Sequence, residues 1–434
     1  MKTSLPQGVI DELTKPLARA NADFARLYPG ESGARQPVHT VYGGAHLFKS
    51  DTASRLGAAA LASLEQSAPD ANTFARAIGI PDPEKLGGVV FERVREKLKR
   101  EPVEDFRIDF EDGYGNRSDT EEDSHAVSVA AEVALGMSAG KLPPFIGIRV
   151  KPFTEELRNR SMRTMDIFLT SVLERSGGKL PDRFVITLPK VVMSRQVDAL
   201  CDVLDRLESS LSLAAGSLRF ELMIETTQSI LDADGRSTLP LLLRASRGRC
   251  VGAHFGVYDY TASCSITAAH QHMRHSACDF ARHMMQVAFA GTGIRLSDGA
   301  TNVMPIGDAA TVHRAWKRHF DDIRHSLTNA YYQGWDLHPA QLPTRYAAVF
   351  SFFLEGLDSA SDRLRNFVEK AAKATLVGDI FDDAATGQGL LNYFLRAINC
   401  GAVTESEAIK LTSLTTAELR SGSFVKILKN RRQI

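Results

Sequence analysis

The sequence predicts a (β/α)8 barrel, an α/β fold in which eight parallel strands alternate with helices and close on themselves. Short apolar segments that end in polar or glycine residues recur at a spacing of roughly 30 to 40 residues, as expected of βαβ units. The stretches between them show helical periodicity, for example Val197, Leu200 and Leu204 on one face. Eight candidate strands favour a closed barrel: 39–44, 106–110, 145–150, 184–188, 219–224, 250–255 and the weaker 301–304 and 334–337.

The chain of 434 residues exceeds a minimal barrel of about 250 residues, so additional segments are expected. We predict an N-terminal helical arm at 1–37 and a catalytic barrel at 38–340. A mostly helical insertion at 51–100 follows the first strand, and a helical C-terminal extension occupies 341–434. The extension is a candidate to cover a neighbouring subunit's barrel, which predicts a homo-oligomer.

Composition narrows the class of protein. Lys+Arg and Asp+Glu are balanced at 52 each, which argues against nucleic-acid binding, since such proteins carry a basic excess. The first residues lack an apolar signal-peptide core, and no apolar run approaches the roughly 20 residues that span a bilayer. The five cysteines form no CxxC pair, which is typical of reduced thiols. We therefore predict a cytoplasmic protein with no membrane or nucleic-acid partner.

Charged side chains follow several predicted strands at the end where barrel enzymes build their active sites. Five are carboxylates and two are cations, so we expect a compact charged site at this rim. In strand order they are Asp109, Glu111 and Asp112 after strand two, Arg149 on strand three, Lys190 after strand four, Glu225 after strand five and Asp259 after strand six.

The types of these side chains suggest a metal-assisted reaction on an acid. Glu225 and Asp259, from neighbouring strands, would suit Mg²⁺ or Mn²⁺, which prefer oxygen ligands and keep positions open for water or substrate. Such a metal can stabilise the enolate that forms when a carbon–carbon bond breaks. Arg149 can hold a substrate carboxylate through two parallel hydrogen bonds. Lys190 is either a Schiff-base nucleophile or, as we favour among so many carboxylates, a protonated ion-pair partner.

These motifs resemble the superfamily of the citrate lyase beta subunit and malyl-CoA lyase, barrels that bind phosphoenolpyruvate or pyruvate and include metal-dependent 2-oxo acid aldolases. Six pieces match in the family's order: Ile108-Asp-Phe-Glu-Asp-Gly113, Ile148-Arg-Val150, Leu188-Pro-Lys-Val191, Ile224-Glu-Thr226, Phe255-Gly-Val-Tyr-Asp259 and Leu337-His-Pro-Ala-Gln341.

The resemblance implies a role for each matching position. Glu225 and Asp259 look like the two protein ligands of Mg²⁺, and Arg149 looks like the arginine that holds the substrate carboxylate. The acidic group Asp109, Glu111 and Asp112 looks like the cluster that orders metal-bound waters and that arginine. Asp112 stands where the related aldolases carry a histidine, which favours the citrate-lyase-like branch. Gly256 and His46 complete the predicted substrate-binding set.

The predicted function is a Mg²⁺-dependent carbon–carbon lyase, or the reverse condensing enzyme. Its substrate is a small 2-oxo or hydroxy acid or a coenzyme A thioester, and the sequence leaves that choice open. Two alternatives stay open: a catalytically inactive barrel that binds a carboxylate metabolite, and a phosphotransfer enzyme acting on phosphoenolpyruvate. Structural roles, such as capping by Asp109 and Asp112, also remain open. A zinc site at His270, His272 and His275 is disfavoured because it lacks paired cysteines.

Overall fold

Eight parallel strands form a closed barrel, which confirms the predicted fold. The computed structural model describes residues 3–30, 32–369, 375–377, 380–382 and 384–432, so parts of the predicted arm and extension lie outside the described residues. Each strand pairs with the next along the chain, and the eighth pairs with the first through Gly334 and His39. The barrel strands are β1 (His39–Gly44), β2 (Asp105–Asp109), β3 (Phe145–Arg149), β4 (Phe184–Leu188), β5 (Arg219–Ile224), β6 (Cys250–Phe255), β7 (Arg295–Ala300) and β8 (Gln333–Asp336).

Helices surround the barrel and extend beyond it, and a separate antiparallel pair, β9 (Thr375–Val377) and β10 (Ile380–Asp382), lies among the later ones. Helices α1 to α9 are Gln7–Leu27, Thr52–Ser67, Ala71–Ile78, Pro83–Arg100, Asp119–Ala139, Arg158–Arg175, Ser194–Ser210, Thr227–Ile230 and Leu239–Ala245. Helices α10 to α18 are Val257–Ser263, Ser276–Phe289, Ala309–Thr328, Leu342–Glu355, Leu357–Glu369, Ala384–Cys400, Glu405–Thr412, Thr416–Arg420 and Phe424–Arg432.

The seventh strand does not lie where the sequence pattern placed it. We expected it at 301–304, but β7 occupies Arg295–Ala300, and Val303 is exposed. The strand lacks the apolar run typical of buried parallel strands because it carries the buried Asp298. Asp298 accepts two hydrogen bonds from Arg282 Nε, each of 2.9 Å, so its charge is neutralised by a helix residue that the strand's own sequence does not reveal.

The insertion after β1 belongs to the main core. Helices α2, α3 and α4 make up this segment, and α3 contributes the fully buried Phe74. Its ring meets Trp316 of α12 edge-on at 5.5 Å and lies 5.9 Å from Phe91 of α4. Helix α13, the first helix after residue 341, packs against both α12 and α4 and so closes the ring of helices around the barrel.

Helix α1 matches the predicted N-terminal helix, yet none of its residues is buried. The segment that follows it is attached to the barrel by a hydrogen bond of 2.8 Å from Gly30 N to Gly291 O. In the part of the chain that the structure describes, no helix has both the length and the apolar character needed to cross a membrane. The five cysteines are unpaired, as their spacing predicted.

The packing of Phe74 predicts that the insertion unfolds together with the barrel. We expect Phe74→Ala to lower the free energy of unfolding by about 3–5 kcal/mol, because it leaves a cavity between three helices. The matched control is Phe24→Ala in α1, where the side chain is 63% exposed and the cost should stay below about 0.5 kcal/mol. Urea titration followed by circular dichroism measures both; a Phe74→Ala cost as small as the control's would show that the insertion is not part of the core.

Candidate active site

An ion pair between Asp109 and Arg149 organises the carboxyl-terminal mouth of the barrel. Arg149 donates from Nε to Asp109 Oδ1 at 2.7 Å and from Nη2 to Oδ2 at 2.5 Å. The same carboxylate accepts the backbone N–H groups of Glu111 (2.9 Å) and Gly113 (2.7 Å). Both residues are buried. Four hydrogen bonds occupy the Asp109 oxygens, so Asp109 positions Arg149 and the loop after β2.

The loop after β2 directs two further carboxylates towards Lys190. Lys190 Nζ donates to Glu111 Oε1 and lies 3.1 Å from Asp112 Oδ2 and 3.4 Å from Asp259 Oδ2. Glu111 also pairs with Arg149, whose Nη1 lies 2.9 Å from its Oε2. Lys190 adopts a left-handed backbone conformation with φ of 50°, which turns the chain sharply after β4. The seven charged residues predicted from strand ends thus form one cluster.

Glu225 is the buried carboxylate of this cluster, with 1% of its surface exposed. Its Oε1 accepts the backbone N–H of Lys190 at 2.7 Å. Gly256 makes room for it: a Cβ added to Gly256 would lie 2.5 Å from Glu225 Oε2. Gly256 therefore has a steric role beside Glu225, and its predicted contact with substrate stays a prediction. Asp259 lies in the first turn of α10 and has 43% of its side chain exposed at the mouth.

The electrostatics follow from this crowding. Burial raises the pKa of Glu225 to about 8; Asp259 and Glu111 raise it too, while Lys190 lowers it. Burial likewise raises the pKa of Glu111. Burial acts to lower the pKa of Lys190, but the charges of Glu225 and Glu111 outweigh it and keep the ammonium protonated. Burial acts to raise the pKa of Asp112, but Lys190 and Arg149 together outweigh it, and the pKa falls below its ordinary value.

The donor set fits a hard divalent cation. Five carboxyl groups face two cations, so the ionised site has an excess of negative charge, and buried Glu225 loses its proton readily only beside a positive charge. Among the described residues, no three His, Cys, Asp or Glu side chains form a ready metal site. Mg²⁺ does not require one, since one or two carboxylates commonly hold it and the other positions go to water and substrate. Glu225 and Asp259 are the pair that fits.

Two aromatic residues of the site escaped the sequence analysis. The guanidinium of Arg149 lies 4.8 Å from the ring centre of Tyr42 and 5.9 Å from that of Trp335. Met223 Sδ lies 3.9 Å from Arg149 Nη1. These side chains come from β1, β8 and β5 and fix the plane of the guanidinium. In the sequence, these two residues are recognisable only as aromatic residues within barrel strands, and many ordinary core residues fit the same pattern.

Three histidines of the barrel, His46, His338 and His254, form no ion pair or hydrogen bond with Arg149 or Lys190 among the described residues. His46 lies beside Tyr114, with 5.6 Å between ring centres, and makes no hydrogen bond to the charged cluster. Its buried Nδ1 has no hydrogen-bond partner within the described ranges, and burial lowers its pKa. His338 Nδ1 accepts the backbone N–H of Ala340 at 3.2 Å and so caps the turn after β8. His254 contacts Glu221 at 2.8 Å inside the barrel.

The chain belongs to the family described as Domain of unknown function (DUF6986). The family model matches residues 17–427. No curated protein matches the chain.

Several solved structures align with this DUF6986 member, and the first of them shares its fold. A citrate lyase from Burkholderia xenovorans LB400 aligns with a TM-score of 0.58 at 17% identity, over 87% of this chain and 96% of the other. Haloferax volcanii malate synthase aligns with a TM-score of 0.47 at 15% identity, over 90% and 98%. The protein CitE from Mycobacterium tuberculosis, in complex with magnesium and acetate, aligns at 0.40 and 14%, over 73% and 92%. The predicted resemblance to this superfamily is confirmed for the fold.

The raised pKa of Glu225 predicts a variant that is more stable than the wild type without metal. Between pH 4.5, the ordinary value, and about 8, folded Glu225 keeps a proton that the unfolded chain releases. The free energy of unfolding therefore falls as the pH rises through this window. Glu225→Gln removes that loss and should raise the free energy of unfolding at pH 9 by roughly 2–4 kcal/mol.

Denaturant titration at pH 5 and pH 9 in chelator tests this prediction. Glu132→Gln is the control, because hydrogen bonds from Ser50 hold the pKa of Glu132 below its ordinary value, so its removal should destabilise the fold at pH 9. A Glu225→Gln variant that loses stability equally at both pH values would show that Glu225 is ionised and well paired without metal.

The hydrogen bonds of Asp109 predict that replacing its carboxylate by an amide strongly destabilises the protein. Asp109→Asn removes the charge that neutralises buried Arg149, and we expect a loss of roughly 3–5 kcal/mol in the free energy of unfolding. Asp112→Asn is the control: its side chain is 60% exposed, and the loss should be below about 0.5 kcal/mol. Thermal unfolding at pH 7 compares the two, and equal small losses would contradict the positioning role of Asp109.

Proposed function

We propose that this DUF6986 member is a Mg²⁺-dependent carbon–carbon lyase, or the corresponding condensing enzyme, that acts on a small 2-oxo or hydroxy acid or on its coenzyme A thioester. Mn²⁺ is the alternative metal. We also propose that it works as a cytoplasmic homo-oligomer. A citrate lyase has the same fold, and this likeness supports the reaction class. Its sequence identity of 17% shows a common fold only.

One observation carries this proposal: two carboxylates and a fixed arginine meet at the mouth of the barrel. Buried Glu225 accepts the backbone N–H of Lys190, and the exposed Asp259 lies near the ammonium group of Lys190. Beside them, Asp109 accepts a hydrogen bond from Nε of Arg149. A site with surplus carboxylates attracts a divalent cation, and a rigid guanidinium attracts an anion. Together they suit a substrate that presents a carboxylate and a neighbouring carbonyl or hydroxyl oxygen.

The chain's own residues can bind, orient and move a proton. Arg149, fixed by Asp109 and the Tyr42 ring, would hold the substrate carboxylate through Nη1, where the substrate would take the place of Glu111 Oε2. Asp112 is ionised at neutral pH and half exposed beside Lys190, so it is the proposed acceptor of the hydroxyl proton. Lys190 would stabilise negative charge as an ammonium group and not form a Schiff base. Mg²⁺ held by Glu225 and Asp259 would supply Lewis-acid stabilisation of the charge that develops when the bond breaks.

Titration calorimetry tests the proposal. Mg²⁺ is titrated first, followed by pyruvate, oxaloacetate and acetyl-CoA, into the wild type and into Glu225→Ala/Asp259→Ala. Glu174→Ala/Asp166→Ala, which removes two exposed carboxylates from α6, is the control for lost charge. We expect metal-dependent binding of an acid in the wild type and the control but not in the site variant.

The ligand that binds decides between free-acid and thioester chemistry, and a turnover assay with that ligand separates catalysis from binding alone. Metal-dependent binding without turnover would support the inactive carboxylate-binding barrel. Absence of Mg²⁺ and Mn²⁺ binding in the wild type would mean that the carboxylates are structural, and the lyase proposal would be wrong.

Arg149→Lys separates binding of the acid from binding of the metal. Lysine keeps the charge but cannot make the forked contacts, so we expect the affinity for the acid to fall by tenfold or more, about 1.4 kcal/mol or above. The affinity for Mg²⁺ should change by less than about threefold, because the variant keeps the positive charge and the ion pairs of Arg149 in the described residues are with Asp109, Glu111 and Asp112. Equal losses of both affinities would contradict this division of roles.

A further inference from the structure

A second charged site lies at the opposite, amino-terminal end of the barrel. A cavity of about 1300 Å³ opens between the starts of the strands, the segment after α1 and helices α9, α11 and α15. Eight arginines line it, and within the described ranges no acidic side chain and no lysine does. The chain has 52 basic and 52 acidic residues, so its net charge does not explain a cavity lined by arginines without acidic residues. The excess of positive charge is local to this cavity.

The arginines at the strand starts are held in place by aromatic stacking. The guanidinium carbons of Arg183 and Arg295 lie 4.9 Å and 5.5 Å from the ring centre of Phe145, the first residue of β3. Arg219, the first residue of β5, pairs in register with Val185, two residues from Arg183. A stacked guanidinium keeps its in-plane N–H groups free for an anion. Stacking therefore orders Arg183 and Arg295, although Arg295 also donates from Nε to Val251 O at 3.4 Å.

Several of these arginines lack a neutralising partner, while others of the lining have one. Arg183, Arg219 and Arg244 form no ion pair with any residue that the structure describes. Arg35, in contrast, pairs with Glu101 and Glu104. Arg295 lies 3.5 Å from Glu221, which already accepts from Arg107 and His254. Arg183 and Arg219 at the strand starts, with Arg244 of α9, thus keep unneutralised positive charge around the open cavity within the described residues.

We propose that this cavity binds a metabolite that carries two or more linked phosphate groups. Guanidinium groups pair with phosphate through two parallel charge-assisted hydrogen bonds, and several of them together match a polyanion better than a single phosphate. The volume exceeds the range of roughly 300–1000 Å³ typical of small-molecule sites, so a ligand of nucleotide size fits. Catalysis in barrels takes place at the other end, so this site binds without catalysing. The proposal does not depend on the proposed lyase activity.

Calorimetric titration of inorganic tripolyphosphate into the full chain tests the proposal, with orthophosphate as the single-phosphate comparison. Both titrations use metal-free buffer with 150 mM salt, since polyphosphate chelates Mg²⁺ and salt suppresses weak surface attraction. We expect saturable binding with one site per chain, at least tenfold tighter than orthophosphate, a difference of about 1.4 kcal/mol or more.

Charge-matched variants decide where tripolyphosphate binds. Arg183→Gln/Arg219→Gln removes two exposed cavity arginines and should weaken binding by about tenfold or more. Arg158→Gln/Arg163→Gln removes the same charge from two α6 side chains that do not line the cavity and should change it by less than about twofold. Arg244→Gln alone is the second cavity variant, and Glu225→Gln should leave binding unchanged. Absence of saturable binding, equal weakening by both double variants, or loss in Glu225→Gln would overturn the proposal.

Discussion

The ion pair between Asp109 and Arg149 is the constraint on which the rest of the mouth depends. Asp109 ends β2, Arg149 ends β3, and the carboxylate also holds two backbone N–H groups of the following loop. The loop then delivers Glu111 to Lys190, whose own backbone N–H binds Glu225. Four adjacent strands are thereby linked through charged groups. Removal of Asp109 or of Arg149 leaves the other one buried and unpaired, which costs more than the pair contributes.

Polar groups also fill the barrel beneath this site. Arg107 donates to Asp105 and Glu221, and Glu221 in turn contacts His254, which accepts a hydrogen bond of 3.0 Å from Trp335 Nε1. Charged groups in a dry interior are tolerated only when their hydrogen bonds are satisfied. Asp105 and Arg107 belong to β2, and Glu221, His254 and Trp335 belong to three further strands, so the network specifies the register of β2, β5, β6 and β8. The floor under Arg149 is therefore rigid, because Trp335 belongs to both the network and the aromatic support of the guanidinium.

The sequence predicted those parts of the molecule that depend on local pattern. Strand ends followed by charge located Asp109, Arg149, Glu225 and Asp259, since parallel strands bring their carboxyl ends to one rim. Strand β7 was missed because Asp298 is neutralised by Arg282, a partner distant from the strand's own pattern. The arginine cavity was missed for the same physical reason. Its side chains come from strand starts, α9 and the C-terminal helices, and their proximity is a property of the closed barrel, which no spacing along the chain reveals.

The measurement that tests the central claim most directly is anomalous diffraction from crystals soaked with Mn²⁺, a metal with a strong anomalous signal that uses the same oxygen ligands. The account predicts a single strong peak at coordination distance from Glu225 and Asp259, with Arg149 still paired to Asp109. It also predicts loss of that peak in Glu225→Gln. A peak elsewhere on the chain, or no peak at the mouth while Lys190 keeps its contacts with Glu111 and Asp259, would contradict the assignment of a metal site to these two carboxylates.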